Sequence, residues 1–79
     1  MNIAEIIRAL REDSDKSQKE IAEILNISQR TYSDYETGRI RLPIESAVIL
    51  ARIYDVDMNY ICGVSSIRKR FPGKSENII

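Results

Sequence analysis

Residues 18–38, with the sequence QKEIAEILNISQRTYSDYETG, constrain the fold more than any other part of the chain. The first half places apolar residues at helical spacing, and the second half places Tyr32 and Tyr35 three residues apart on one helical face. Between the halves lies a three-residue break that begins at Asn26, a residue type that tolerates a positive φ better than any other except glycine. The segment therefore predicts two short amphipathic helices joined by a tight turn.

Two helices joined in this way form a helix-turn-helix, a unit that places its second helix in the major groove of DNA. Ala22 supports this prediction, because a small residue lets two steeply crossing helices approach closely. The phrase Ser28-Gln-Arg-Thr-Tyr-Ser-Asp-Tyr-Glu-Thr-Gly38 resembles the recognition helix of Cro/C1-type, or XRE-family, repressors, including the terminal Tyr-Glu-x-Gly. The resemblance runs from about Ile6 to Gly63. It implies an all-α, compact five-helix lambda-repressor-like DNA-binding domain with helices 2 and 3 as the helix-turn-helix.

The remaining helices are predicted from caps and apolar stripes. Helix 1 spans residues 3–12 behind a capping box of Asn2 and Glu5, helix 4 spans residues 43–54 with Pro43 at its first position, and helix 5 spans residues 58–62. Residues 1–63 then form the domain, and residues 64–79 form a tail that is either disordered, a dimerisation arm or an extra phosphate contact. In proteins of the resembling family the loop before helix 2 usually ends with a glycine and an apolar residue. Asp15 and Lys16 stand there instead, so we expect a less well-packed loop.

Composition narrows the function classes. The chain has 79 residues, which fits one domain, with a single cysteine, Cys62, and no histidine. An internal disulfide, a zinc site and histidine-based catalytic triads are therefore not expected, and neither is any other cofactor. The carboxylates are scattered singly, so we do not expect an enzyme. No apolar run reaches about 18 residues and no signal-peptide pattern precedes helix 1, so we expect a cytoplasmic protein without membrane contact.

Charge leaves two function classes open. The net charge is +0, whereas most nucleic-acid binders carry a basic face, although a neutral total is compatible with one. The first hypothesis is a sequence-specific DNA-binding transcriptional regulator, a repressor, that acts as a homodimer on double-stranded DNA. The second is an antitoxin-like or adaptor protein that uses the same fold mainly to hold a regulatory protein partner. A positive strip that joins Lys19, Arg30, Arg39 and Arg41 would favour the first.

Helix 3 supplies the candidate base contacts. With the tyrosines inward, the outward positions carry types that suit base edges: arginine pairs with guanine, glutamine with adenine, and aspartate accepts from cytosine N4. The same residue types also suit a solvated helix face. The predicted base contacts are Gln29, Arg30, Ser33 and Asp34.

Other positions are candidates for the DNA backbone. The N-terminus of helix 2 offers free N–H groups and the positive end of the helix dipole. Family resemblance implies that Gln18 contacts the DNA backbone or bridges to a recognition residue, and that the loop after Gly38 contacts phosphates. The predicted backbone contacts are Ser17, Gln18, Lys19, Ser28, Arg39 and Arg41.

Two further roles come from the resemblance. Glu36 pairs with an arginine near the end of helix 1 in the family pattern, which matches Arg11, and we interpret the pair as structural. The closing segment often contributes to a dimer contact in relatives. Here Met58, Tyr60 and Ile61 either supply that contact or are buried against the chain's own core.

Overall fold

The computed structural model describes residues 1–72, and these residues form five α-helices and no β-strand. In chain order they are α1 (Ile3–Asp13), α2 (Gln18–Leu25), α3 (Gln29–Thr37), α4 (Ile44–Tyr54) and α5 (Met58–Ile61). The predicted all-α, five-helix fold is confirmed. Residues 73–79, the end of the predicted tail, lie outside the described residues.

The helix starts follow the capping signals of the sequence. Asn2 and Glu5 form a complete capping box at α1, and Ser17 and Glu20 form one at α2. The prediction for α4 was wrong by one residue: Pro43 is the N-cap, with extended backbone at φ −64° and ψ 150°, and the helix begins at Ile44. The Pro43 carbonyl still accepts the first helical hydrogen bond, from Ala47 N at 3.0 Å. Proline therefore fits this position through its fixed φ.

One apolar core joins all five helices. Its fully buried members include Ile7 of α1, Ile21 of α2, Tyr32 of α3, Leu50 of α4 and Ile61 of α5. The helices α2 and α3 pack against each other, and α1 packs against both α3 and α5. Helix α1 therefore supports the helix-turn-helix through its contact with α3.

The turn between α2 and α3 has the predicted geometry. Asn26 adopts the left-handed conformation at φ 59° and ψ 46°. The N–H of Ile27 donates to the carbonyl of Ala22 at 3.0 Å, which closes the C-terminus of α2. Ala22 is 2% exposed, as expected for a small residue where two helices approach closely.

The loop between α1 and α2 is held by hydrogen bonds that the sequence did not predict. Asp15 adopts a positive φ of 56°, the conformation that the usual glycine would supply. Lys16 is half-buried, its N–H donates to the Arg11 carbonyl at 3.2 Å, and its own carbonyl accepts from Arg11 Nη1 at 2.9 Å. Backbone and arginine hydrogen bonds thus fix the loop at the position where the usual apolar residue is missing, and its less close packing stays a prediction.

Residues 64–72 lie against the end of α4 and the start of α5. Asp55 accepts from Arg70 Nε at 2.7 Å and from the N–H of Phe71 at 3.2 Å. The Lys69 carbonyl accepts from the N–H of Asp57 at 2.9 Å. Phe71 is half-buried, and the Arg52 guanidinium lies 5.4 Å from its ring centroid. This part of the predicted tail therefore has specific contacts with the domain.

None of the helices over residues 1–72 is long and apolar enough to span a bilayer.

Candidate nucleic-acid interface

Helix α3 turns its two tyrosines and one carboxylate inward. Tyr32 is fully buried and Tyr35 is 7% exposed, and their rings meet edge to face with centroids 6.4 Å apart. Glu36 is also buried, at 7% exposure. These three residues fix the rotation of α3 about its axis, and thereby decide which side chains it presents to solvent.

The predicted base contacts differ in exposure. Gln29 and Arg30, in the first turn of α3, are exposed, whereas Ser33 and Asp34 are half-buried. The carbonyl of Asp34 accepts from the N–H groups of Arg39 and Ile40, at 2.9 and 3.3 Å, which ends the helix. The first turn therefore carries the most accessible side chains of α3's predicted set.

Behind α3, Glu36 joins three helices through side-chain hydrogen bonds. Arg11 of α1 donates to both of its oxygens, from Nε at 2.7 Å and from Nη2 at 3.1 Å. Gln18 of α2 donates from Nε2 to Glu36 Oε1 at 3.1 Å. The predicted ion pair is present, and it is largely shielded from solvent because the Arg11 and Glu36 side chains are only 13% and 2% exposed.

The charges at this junction stabilise each other. Burial disfavours the ionised form of Glu36, but the hydrogen bonds that it accepts, foremost those from Arg11, hold its pKa below the ordinary value. The bond to Glu36 raises the pKa of Arg11. Burial, with the nearby Glu36 carboxylate, raises the pKa of the Tyr32 phenol, and burial raises that of Tyr54 to about 12. Both phenols are thus neutral and Glu36 is ionised near neutral pH.

Part of the predicted phosphate-binding set is already engaged within the protein. Ser17 Oγ accepts from the N–H of Glu20 at 3.0 Å, and the N–H of Ser17 donates to the Glu20 carboxylate at 2.7 Å. Ser28 Oγ accepts from the N–H of Thr31 at 3.1 Å and donates to Thr31 Oγ1 at 2.9 Å. These hydroxyls act as helix caps in this structure.

Gln18 connects α2 to α3 in this structure. Its amide nitrogen donates to Glu36 Oε1 of α3, and its contact with the DNA backbone stays a prediction. The sequence did not reveal Glu36 as the acceptor, because the two residues are 18 positions apart and no periodicity connects them.

The loop after α3 presents two arginines. Gly38 adopts φ 80° and ends the helix, and Leu42, buried at 7% exposure, anchors the far end of the loop. Arg39 and Arg41 lie between these points and are exposed, as is Lys19 in the first turn of α2. Exposed cations are therefore present at the start of the helix-turn-helix and directly after its end.

The predicted dimer contact needs one correction. Ile61 is fully buried in the core of its own chain and has no surface to offer a second subunit. Met58 and Tyr60 are half-buried, and the Arg68 guanidinium lies 6.0 Å from the Tyr60 ring centroid. The apolar side chains of α5 therefore serve mainly this chain's own fold.

Comparison with known proteins agrees with this architecture. A helix-turn-helix family model matches residues 7–61. An uncharacterised HTH-type transcriptional regulator, YobD of Bacillus subtilis, is 36% identical over 59 residues, which are 75% of this chain and 53% of the relative. A putative HTH-type transcriptional regulatory protein of Methanothermobacter thermautotrophicus is 30% identical over 64 residues, which are 81% of this chain and 21% of the relative. The chain thus spans about half the length of the first relative and about a fifth of the second.

A solved structure supports the fold. The crystal structure of a transcriptional regulator from Listeria innocua matches with a TM-score of 0.75, over 94% of this chain and 67% of that chain, at 24% identity. The matched residues 7–61 reach from α1 to the end of α5 and include both the helix-turn-helix and the ion pair behind it. The chain therefore belongs to the helix-turn-helix family of the XRE, or Cro/C1, type.

Proposed function

We propose that the protein is a sequence-specific DNA-binding transcriptional regulator that inserts α3 into the major groove. The observation that carries this proposal is the orientation of α3. Tyr32, Tyr35 and Glu36 are buried, while Gln29 and Arg30 are exposed in the first turn, where a recognition helix contacts base edges.

Each predicted base contact has a distinct role. Arg30 pairs bidentately with guanine O6 and N7, and Gln29 pairs with adenine N6 and N7. Asp34 accepts from cytosine N4 and Ser33 donates or accepts at a neighbouring base, both at half-buried positions deeper along the helix. Arg30 contributes most to specificity, because a good bidentate contact discriminates against a wrong base by about 1–3 kcal/mol.

Backbone contacts set the register of the helix on the duplex. Lys19, Arg39 and Arg41 are exposed and bind phosphates as cations. The N–H groups of Ser17, Glu20 and Thr31 are already bonded to capping side chains. The phosphate contacts proposed at Ser17, Gln18 and Ser28 therefore use the other N–H groups of the first turns of α2 and α3, which lack intrahelical acceptors. These contacts supply local positive charge in a chain whose net charge is +0.

We further propose that the protein acts as a homodimer and represses transcription. A two-fold dimer places its two α3 helices in successive major grooves, about 34 Å apart, and so selects a pseudo-palindromic site. A dimer bound across a promoter blocks access of the polymerase, which leads to repression. Cytoplasmic localisation follows from this role.

Selection of binding sites from random duplex DNA tests the proposal. The purified full chain is expected to enrich a two-fold symmetric motif, and a Gln29→Ala, Arg30→Ala double variant is expected to lose the enrichment while it keeps its helical circular dichroism. Enrichment of the same motif by this variant would show that α3 does not read the bases.

The second candidate function is an adaptor or antitoxin-like role with a regulatory protein partner. Two observations favour it: the net charge of +0, and the carboxylate of Asp34 on the recognition helix, which phosphates repel. Under this proposal the same selection yields no motif, and affinity for duplex DNA stays weak at low salt.

A further inference from the structure

Two buried phenol groups have no hydrogen-bond partner among residues 1–72. They are the hydroxyls of Tyr32 on α3 and Tyr54 on α4, and neither oxygen is in contact with solvent. Tyr32 is fully buried and Tyr54 is 8% exposed. A buried hydroxyl that lacks a partner destabilises a fold and is rare in native proteins, so these two hydroxyls require an explanation.

Both phenols lie in the surroundings of the Glu36 carboxylate. Burial is the main cause of the raised pKa of Tyr32 and of Tyr54, and the nearby carboxylate adds to it in both cases. Tyr54 also contributes to the raised pKa of Tyr32. Such electrostatic effects weaken with distance, so the two hydroxyls and Glu36 belong to one polar region of the core.

The Glu36 carboxylate can accept one more hydrogen bond. An ionised carboxylate has about four acceptor sites on its two oxygens. Three are used, because Oε1 accepts from Arg11 Nη2 and Gln18 Nε2 and Oε2 accepts from Arg11 Nε. The remaining site is on Oε2, and a direct bond from either phenol to it would leave the other phenol unpaired.

We propose that one buried water molecule accepts hydrogen bonds from the Tyr32 and Tyr54 hydroxyls and donates one to Glu36 Oε2. A single water both accepts and donates, so it can satisfy the two phenols and the remaining carboxylate site together. Buried waters typically make about three hydrogen bonds to polar groups that otherwise lack partners. The two hydroxyls and the carboxylate match this requirement.

The charges of the site favour water over an ion. The phenols are neutral and Glu36 is ionised near neutral pH, so an anion would be repelled by the carboxylate. A metal ion is disfavoured because the described part of the chain contains no group of three potential metal ligands. Water is therefore the ligand whose chemistry fits two O–H donors and one carboxylate acceptor.

The proposed water connects a fourth helix to the Glu36 junction. Direct side-chain hydrogen bonds already connect Glu36 to Arg11 of α1 and Gln18 of α2. Tyr54 is on α4, so the water extends the network to that helix. Helix α4 then helps to fix the rotation of α3, a role that does not depend on whether the protein binds DNA.

The sign of a tyrosine-to-phenylalanine effect tests the proposal. A hydroxyl that is bonded to water stabilises the fold, whereas removing a hydroxyl without a partner has no cost or a gain. Tyr32→Phe and Tyr54→Phe are each expected to raise the unfolding equilibrium constant about fivefold, the effect of losing one ordinary hydrogen bond. Tyr60→Phe, at a half-buried tyrosine of α5, is the control and is expected to change the constant by no more than about twofold. Urea denaturation of the full chain measures all four proteins.

Oxygen-17 relaxation dispersion of the solvent detects the water itself, because it counts water molecules that stay bound for longer than the protein takes to tumble. The parent and Tyr60→Phe are expected to hold the same number of such waters. The Tyr32→Phe, Tyr54→Phe double variant is expected to hold one fewer, since the water then keeps only Glu36 as a partner. Circular dichroism confirms the helical fold of each variant. If the double variant does not fold, a high-resolution crystal structure of the parent decides, with density expected for one water within hydrogen-bond distance of both phenol oxygens.

Three results would overturn the proposal. They are an unfolding equilibrium constant for Tyr54→Phe that is equal to or lower than that of the parent, an equal number of long-lived waters in the parent and a folded double variant, and crystal density without a water between the phenols. A loss of stability in Tyr32→Phe but not in Tyr54→Phe would show that Tyr32 donates directly to Glu36 instead.

Discussion

Glu36 of α3 accepts two hydrogen bonds from the guanidinium of Arg11 on α1, at 2.7 and 3.1 Å. The same carboxylate accepts a third, from Gln18 of α2, at 3.1 Å. One side chain of α3 is thereby bonded to both helices that precede it. The angle between α2 and α3, on which any base contact depends, is tied to this junction.

Breaking the Arg11–Glu36 pair is expected to destabilise the fold far more than breaking an exposed pair on the same helix. Arg11→Met leaves a buried carboxylate without its main partner, which costs about 3–5 kcal/mol. Arg8 pairs with Glu12 at 3.2 Å, but these side chains are 63% and 54% exposed. Arg8→Met is therefore the matched control and should cost less than about 0.5 kcal/mol. Urea denaturation measures both, and equal losses would contradict a structural role for the buried pair.

Acid should remove this stabilisation. The pKa of Glu36 is lowered in the folded protein from an ordinary value of 4.5, so its contribution is present above pH 4.5 and is lost as the pH falls through the lower, folded value. Glu36→Gln removes the titrating group. The difference in unfolding free energy between the parent and Glu36→Gln should be constant above about pH 5.5 and should shrink below pH 4.5. If the difference grew on acidification, the pKa of Glu36 would have to be raised and not lowered in the folded protein, which would contradict the stabilising role of the ionised carboxylate.

The sequence predicted those features of the structure that residues close together in the chain determine. Capping boxes located the starts of α1 and α2, Asn26 located the turn, and the spacing of Tyr32 and Tyr35 gave the inward side of α3. In each case the residues that decide the structure lie within about one helical turn of each other, which is the range over which patterns are readable.

Contacts between distant residues were harder to predict. The Gln18–Glu36 bond and the Asp55–Arg70 pair join residues 18 and 15 positions apart. No period relates such residues, and the packing of several helices determines whether they meet. The burial of Ile61 was undecided for a different reason, because the four-residue helix α5 is too short to show which side is apolar.

Asp15 offers a site for stabilisation. Its φ of 56° lies in the left-handed region, which costs most L-residues roughly 1–2 kcal/mol and aspartate somewhat less. Asp15→Gly should therefore raise the unfolding free energy by a few tenths to about 1 kcal/mol. This gain is what is left once the greater entropy that glycine gives the unfolded chain has been subtracted. Asp15→Ala should lower it, since alanine keeps the Cβ and loses the polar group. Thermal unfolding of the pair checks this, and a stabilising alanine would contradict the assigned backbone strain.

Gly38 and Gly63 allow backbone strain to be separated from steric overlap. Their φ values are nearly equal, at +80° and +82°, but a Cβ at Gly38 would meet nothing within 4 Å, whereas one at Gly63 would lie 2.9 Å from the Met1 carbonyl oxygen. Gly38→Ala should cost about 1 kcal/mol from conformation alone. Gly63→Ala should cost more, because the N-terminal backbone or residues 62–64 must also shift. Chemical denaturation of both variants measures the difference, and a smaller loss at Gly63 would show that the Met1 backbone moves away freely.

Arg30 and Arg39 should affect DNA binding in different ways. Arg30 is proposed to read a base, so Arg30→Ala should relax selectivity at one position of the enriched motif, by about 1–3 kcal/mol, and change non-specific affinity little. Arg39 is proposed to bind a phosphate, so Arg39→Ala should weaken all sequences about equally and reduce the slope of log affinity against log salt by about 1. Arg8→Ala, which removes an exposed cation already paired with Glu12, is the control and should change neither quantity. Fluorescence anisotropy with matched and single-mismatch duplexes at several salt concentrations distinguishes the two effects. If Arg30→Ala lowered every affinity uniformly and left the motif unchanged, Arg30 would be a backbone contact, and sequence reading would have to come from Gln29 and the deeper positions of α3.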